Sequence, residues 1–221
     1  LSPMLAGTAM GTLNGALVHF TGINAFIITL ATSLLYRGLA LVVTLGTPVS
    51  KLPEAFRVFG YGDFCGMERG VSMAIVVLLL ALPLLYKMRW GHYIMTLGSN
   101  PMALRRSGVR LGPWRISAFA LMGFLSALAG MIITARLNSA EPNAGLNMEM
   151  DAITAVIMGG TPLHGGQAAL IGTTVAVLLL SSIRNGLTLL RVSSYYQQLI
   201  TGVILLCAVI TAELRQRRQR V

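Results

Sequence analysis

Residues 151–190 read DAITAVIMGG TPLHGGQAAL IGTTVAVLLL SSIRNGLTLL. From Ala152 to Ile183 there is no Asp, Glu, Lys or Arg. A spanning helix needs about 20 apolar residues, so this run is too long for one span. In its middle stand Gly159-Gly160-Thr161-Pro162-Leu163-His164-Gly165-Gly166. Glycine and proline at that density break a helix. The stretch therefore reads as a short half-helix over 151–158, a glycine loop at depth, and a longer returning helix over about 167–190. The alternative is a kinked but continuous helix. The rest of the chain decides between them.

Outward from this stretch the pattern repeats. Further runs without a charged residue cover 1–18, 20–36, 38–50, 70–86, 116–135 and 192–212. Of the 221 residues, 55% are hydrophobic and 11% charged, and the mean hydropathy is +0.73. An average soluble domain carries roughly 25% charged residues. A soluble enzyme and a disordered chain are both excluded on these grounds. Backbone groups in lipid must be satisfied internally, so the runs are expected to be helices. Alternation over ten-residue segments, the mark of a membrane barrel, is absent. The fold class is all-α, a polytopic membrane helix bundle with a broken, re-entrant helix near 151–166.

Charge is distributed unevenly between the loops. The segment 87–115 holds Lys87, Arg89, Arg105, Arg106, Arg110 and Arg115 and no acid. The tail holds Arg215, Arg217, Arg218 and Arg220 against Glu213. The segments 46–70 and 136–151 hold Glu54, Asp63, Glu68, Glu141, Glu149 and Asp151, with only Lys51, Arg57, Arg69 and Arg136. The positive-inside rule puts 87–115 and the C-terminus in the cytoplasm and the two acidic segments outside. The net charge of +10 is thus a topology signal, and no nucleic-acid partner is implied. A final inward helix over 197–213 then requires 151–190 to begin and end outside. Forty residues are too few for two full spans and a turn, which favours the broken helix over the kinked one.

No catalytic constellation is visible. There is no phosphate loop, so the chain does not hydrolyse ATP by itself. His19, His92 and His164 lack metal-ligand spacing, and neither metal nor cofactor is expected. His164 reads as a loop residue hydrogen-bonded to backbone. Cys207 sits in an apolar run and is not expected to pair with Cys65. Arg37 lies between two apolar stretches. A charge at that depth faces the bundle or a cavity, or else snorkels to an interface. Asn14, Asn185 and Gln167 are polar groups in apolar runs that bond across helices. Gly7, Gly11 and Gly15, with Gly123, Ala127 and Gly130, permit close helix approach.

In the basic loop, Asn100-Pro101 is a helix start and Gly108 a helix stop. One short helix over about 101–107 is expected on the cytoplasmic side. Its exposed Met102, Ala103 and Leu104 call for a partner, while anionic lipid suits the arginines. Broken helices are frequent beside transport pathways. The pathway candidates are therefore Arg37, Gly159, Gly160, Gly165, Gly166 and Asn185.

Taken together, several stretches resemble one family: Phe26-Ile-Ile-Thr-Leu-Ala-Thr with Arg37-Gly-Leu-Ala; Gly98-Ser-Asn-Pro-Met-Ala-Leu-Arg-Arg-Ser-Gly108; Asp151-Ala-Ile-Thr-Ala-Val-Ile-Met-Gly-Gly-Thr161 with Gly165-Gly166 and Gly172-Thr173; and Asn185-Gly-Leu. The chain resembles the permease subunits of bacterial ABC importers for ribose, xylose, galactose and related monosaccharides, including autoinducer-2 importers. The resemblance covers essentially the whole chain. It implies a single transmembrane permease domain over 1–221, the C-terminal two-thirds of a longer pattern.

It also implies a multi-pass protein of the bacterial inner membrane that forms a pathway for a monosaccharide or similar small polar solute. The partners implied are a second permease subunit in a homo- or heterodimer, a cytoplasmic ABC ATPase and a periplasmic sugar-binding protein. The loop 87–115 would carry the ATPase-coupling helix, with Gly98, Asn100, Ala103, Ser107 and Gly108 in the matching positions. Two positions depart from the usual pattern, Ser99 in place of Gly and His164 in place of Ser. A membrane-embedded enzyme or a scaffold without transport activity is the alternative.

Overall fold

Glycines at 7, 11 and 15 leave one stripe of α1 (Ser2–Thr21) without side chains. Against this stripe lies α6 (Leu111–Leu137). A side chain at Gly7 would meet Ala127 Cβ at 2.5 Å, and one at Gly11 would collide with the Phe119 carbonyl. A side chain at Gly123 would collide in turn with the Gly7 carbonyl. The two helices touch backbone to backbone, the close approach expected from the small-residue spacing. The computed structural model describes residues 2–50, 63–64, 66–162 and 165–219. The readings made at Lys51, Glu54, Arg57, Cys65 and His164 lie outside the described residues.

The chain divides into two compact units, Leu1–Leu97 with Pro101–Gly145, and Gly98–Asn100 with Leu146–Val221. In the first unit α2 (Ala25–Thr44) is capped by Asn24, whose side chain accepts the Phe26 N–H at 2.9 Å. The Tyr36 hydroxyl donates to Asn14 Oδ1 at 3.4 Å, tying α2 to α1 as the polar position in that apolar run implied. Two-residue strands β1 (Val49–Ser50) and β4 (Ser139–Ala140) pair antiparallel, as do β2 (Asp63–Phe64) and β3 (Met67–Glu68). Next comes α3 (Arg69–Tyr86), with Pro83 near its end. Glu68 and Arg136 form an ion pair at 3.5 Å.

The basic loop holds two helices where the sequence reading expected one. They are α4 (Arg89–Ser99) and α5 (Pro101–Arg106). Helix α4 forms because Trp90, Tyr93, Ile94 and Leu97 recur at helical spacing. The Trp90 indole donates to Ser117 Oγ at 3.1 Å, and the Tyr93 ring packs 4.6 Å from that of Trp114. Leu104, expected to be exposed, is 6% exposed. It points inward from α5, while Met102 is 58% exposed. The next helix, α6, begins at Leu111 rather than 116.

The second unit contains α7 (Met148–Met158), α8 (Leu170–Leu189) and α9 (Ser194–Gln219). The break between α7 and α8 falls where the glycines predicted it. Gly160 takes φ +95°. Its N–H reaches Ile157 O and the Thr161 N–H reaches Val156 O, a left-handed end that glycine adopts without strain. The Ala169 N–H donates to Thr161 Oγ1 at 3.0 Å and closes the loop. Four described helices are long and apolar enough to cross a membrane, α2, α3, α6 and α8, and a shorter apolar helix over Tyr195–Thr211 lies within α9. The architecture is the expected all-α polytopic bundle.

Candidate functional site

Helices α7 and α8 run antiparallel. Gly159, at the end of α7, meets Gly172 and Thr173 near the start of α8 so closely that neither glycine leaves room for a side chain. At the other end Asp151, in the first turn of α7, accepts two hydrogen bonds from Arg184. Nη1 donates to Oδ2 and Nη2 to Oδ1, both at 2.7 Å. This bidentate fork is the strongest geometry for an Arg–carboxylate pair. Arg184 stands five residues before the end of an apolar helix of span length. A charge there is tolerated when paired and turned toward protein or water.

Two cavities open beside this pair. One of about 650 Å³ is lined by Asp151, Ala155, Ser181, Arg184, Asn185 and Ile204, among others. The other, of about 440 Å³, is lined by Asn147, Thr154, Arg184, Gln198 and Thr201, among others. Asp151, Arg184, Gln197 and Thr201 border both. Polar groups around them are held by helix backbone. Thr154, fully buried, donates to Met150 O at 2.7 Å, and Thr201 donates to Gln197 O at 2.9 Å. Gln197 Nε2 donates to Val192 O at 3.0 Å and to Thr188 Oγ1 at 3.3 Å. The volumes fall in the range of about 300–1,000 Å³ typical of small-molecule sites.

Of the pathway candidates, Asn185 lines the larger cavity. Gly165 and Gly166 sit elsewhere in the same unit, against Gly98 and Ser99. A side chain at Gly98 would meet Gly166 N at 2.7 Å, and one at Gly166 would meet Ser99 Cβ at 2.6 Å. The loop was expected at depth in the membrane. Helix α8 begins directly after it and rises about 30 Å by itself, a bilayer core thickness. Arg37 belongs to the first unit, half-buried in the middle of α2. Ala103 and Ser107 are exposed on α5 and the turn after it, with Ser107 Oγ donating to Ala103 O at 3.1 Å. Gly108 ends that helix with φ +79°, as expected.

Asp151 was legible in the sequence as part of an acidic segment, and Arg184 as the first charge after the uncharged run from Ala152 to Ile183, but the two were not paired. The signal was present. The topology put the start of the half-helix and the end of the returning helix on one side, and each carries one charge of opposite sign there. Among the described residues no group of three or more His, Cys, Asp or Glu could hold a metal ion.

The family described as branched-chain amino acid transport system / permease component matches residues 1–209. The ribose import permease protein of Escherichia coli (strain K12) is 41% identical over 214 residues, covering 95% of this chain and 67% of that protein. The ribose import permease protein of Bacillus subtilis (strain 168) is 40% identical over 199 residues, 89% of this chain and 62% of that protein. The D-allose transport system permease protein of Escherichia coli (strain K12) is 35% identical over 206 residues, 93% of this chain and 63% of that protein. The chain thus spans about two-thirds of the length of these relatives. No solved structure matches it. The relatives are transport permeases, which disfavours the enzyme and scaffold alternatives. With four span-length apolar helices and a likeness that runs along almost the whole chain, the protein belongs to the branched-chain amino acid transport system permease component family, as a multi-pass inner-membrane transport subunit.

Proposed function

We propose that this chain is the membrane-spanning subunit of an ABC importer for a monosaccharide. The observation that carries the reading is its 41% identity, over 95% of its length, with a ribose import permease. On this reading the whole of 1–221 is one permease domain. The C-terminus and 87–115 face the cytoplasm, because basic residues concentrate there. Ala103 and Ser107, exposed on and just after α5, meet a cytoplasmic ATPase. Gly98, Asn100 and Gly108 shape the segment that presents them. A periplasmic sugar-binding protein delivers the solute, and a second permease subunit, the same or different, completes the pathway. Arg37, Gly159, Gly160, Gly165, Gly166 and Asn185 border that pathway.

The charge-balanced Asp151–Arg184 pair, set among apolar and polar groups at the two cavities, supports a polar, uncharged solute, which exchanges hydrogen bonds without meeting a net charge. The test is uptake by the complex assembled with its ATPase and binding protein in proteoliposomes. ATP-dependent accumulation of labelled ribose, allose or arabinose is expected. Accumulation of leucine and of none of these sugars would overturn the reading.

A further inference from the structure

We infer that the Asp151–Arg184 pair is a hydroxyl-binding site for the transported sugar, rather than only a strut between helices. The inference rests on the sugar-importer reading and names the contact within it. The fork uses two of the five N–H donors of the guanidinium and one lone pair on each carboxylate oxygen. Three N–H groups and a second lone pair on each oxygen remain. In an apolar bundle such capacity requires polar partners.

Both side chains reach open space, being 48% and 27% exposed. Each borders both cavities, so a solute moving from one to the other passes the pair. Nearby, both N–H groups of the Gln197 amide are occupied by Val192 and Thr188, so the amide offers its carbonyl oxygen as an acceptor. Gln198 borders the smaller cavity and Asn185 the larger.

This set suits a polyol. Adjacent sugar hydroxyls donate to carboxylate oxygens and accept from guanidinium N–H groups while the fork stays closed. A zwitterionic amino acid must instead compete with the fork for both charges. The pair is therefore matched to an uncharged ligand with several hydroxyls.

The test separates ligand contact from scaffolding. Replacing both partners together by apolar residues, Asp151→Leu with Arg184→Met, leaves no unpaired charge and is commonly neutral for folding. The complex is assembled with its ATPase and binding protein, and ribose and 2-deoxyribose uptake are compared. The double variant is expected to assemble and keep its thermal midpoint, while ribose uptake falls about tenfold or more, the effect of losing charge-assisted hydrogen bonds. The ribose preference over 2-deoxyribose should narrow with it. Arg184→Lys keeps the charge but not the planar fork. It should lower ribose uptake severalfold, and it judges the inference should the double variant not assemble. Ribose uptake at the parent level in the assembled double variant, or in Arg184→Lys, overturns the inference while the importer reading stands. Uptake of leucine and no sugar by the parent complex overturns both.

Discussion

Asp151 and Arg184 lie 33 residues apart in the chain and 2.7 Å apart across a two-bond fork. Between them the chain leaves as α7, breaks at Gly159–Gly160 and returns as α8. The fork puts the start of one helix beside the end of the other. The start of α7 and the later part of α8 therefore lie together at one end of the helix pair.

Removing one partner should be worse than removing both. Arg184→Leu leaves the Asp151 carboxylate unpaired, its side chain 27% exposed. Desolvated pairs broken this way cost about 3–5 kcal/mol. Because the Arg184 side chain is 48% exposed, a smaller loss of about 1–3 kcal/mol is expected here. Thermal unfolding in detergent should show a midpoint lowered by several degrees. Exchanging the two residues, Asp151→Arg with Arg184→Asp, should recover most of it. An unchanged midpoint in Arg184→Leu would mean that the fork holds nothing.

The glycine stripe gives a stability contrast. At Gly11 a methyl group would collide with the Phe119 carbonyl, whereas at Gly130 nothing lies within 4 Å. Alanine is favoured over glycine in a helix by about 1 kcal/mol. Gly130→Ala should therefore be neutral or mildly stabilising. Gly11→Ala should lower the midpoint despite the same propensity gain, because α1 must move off α6. Equal midpoints for the two variants would contradict the backbone contact.

How far the fold was legible follows from which forces act locally. The apolar runs marked the span-length helices, because length and hydropathy alone decide what can cross lipid. The break at Gly159–Gly160 was legible because glycine and proline act on their own backbone. Helix α4 was missed although Trp90, Tyr93, Ile94 and Leu97 stand at helical spacing. The basic charge around them read as loop, and their partners Ser117 and Trp114 are more than twenty residues away. The inward turn of Leu104 depends likewise on packing. The Asp151–Arg184 pair needed a register between two helices, which follows from how Gly159 and Gly172 nest.

Topology can be read by labelling. Cys65 and Cys207 are first replaced, and single cysteines are then placed at Ser107 and Glu141. Both positions are exposed on the described chain. An impermeant thiol reagent added from outside should label the cysteine at 141 and spare that at 107. Inside-out vesicles should reverse the pattern. The opposite labelling would invert the orientation drawn from the positive-inside rule.

The proposed ATPase contact makes its own demand. Ala103 is exposed on α5, so a larger side chain there should disturb a docked partner and not the fold. Ala103→Glu is expected to leave the thermal midpoint in place. It should also cut ribose uptake per ATP hydrolysed severalfold in the assembled complex. Normal uptake with normal stimulated hydrolysis would remove α5 from the ATPase contact.

The contact of Gly98 and Ser99 with Gly165 and Gly166 carries the last expectation. Gly166 adopts φ +89°, a region that side chains rarely enter. Its missing Cβ would stand 2.6 Å from Ser99 Cβ. Gly166→Ala therefore strains the backbone and pushes the two segments apart at once. Ser99 lies just ahead of α5, and Gly166 four residues ahead of α8, whose far end holds Arg184. A shift at this contact is thus placed at the head of the segment that leads into α8 and, by the proposed coupling role, beside the segment offered to the ATPase. Gly166→Ala should lower ribose uptake more than it lowers the amount of protein inserted in the membrane. Pairing it with Ser99→Gly, which removes the opposing Cβ, should recover part of the loss. Gly186→Ala, at a helix position with nothing within 4 Å, is the control and should transport normally. If Gly166→Ala and Gly186→Ala transport equally well, the contact transmits nothing between the loop and the helix.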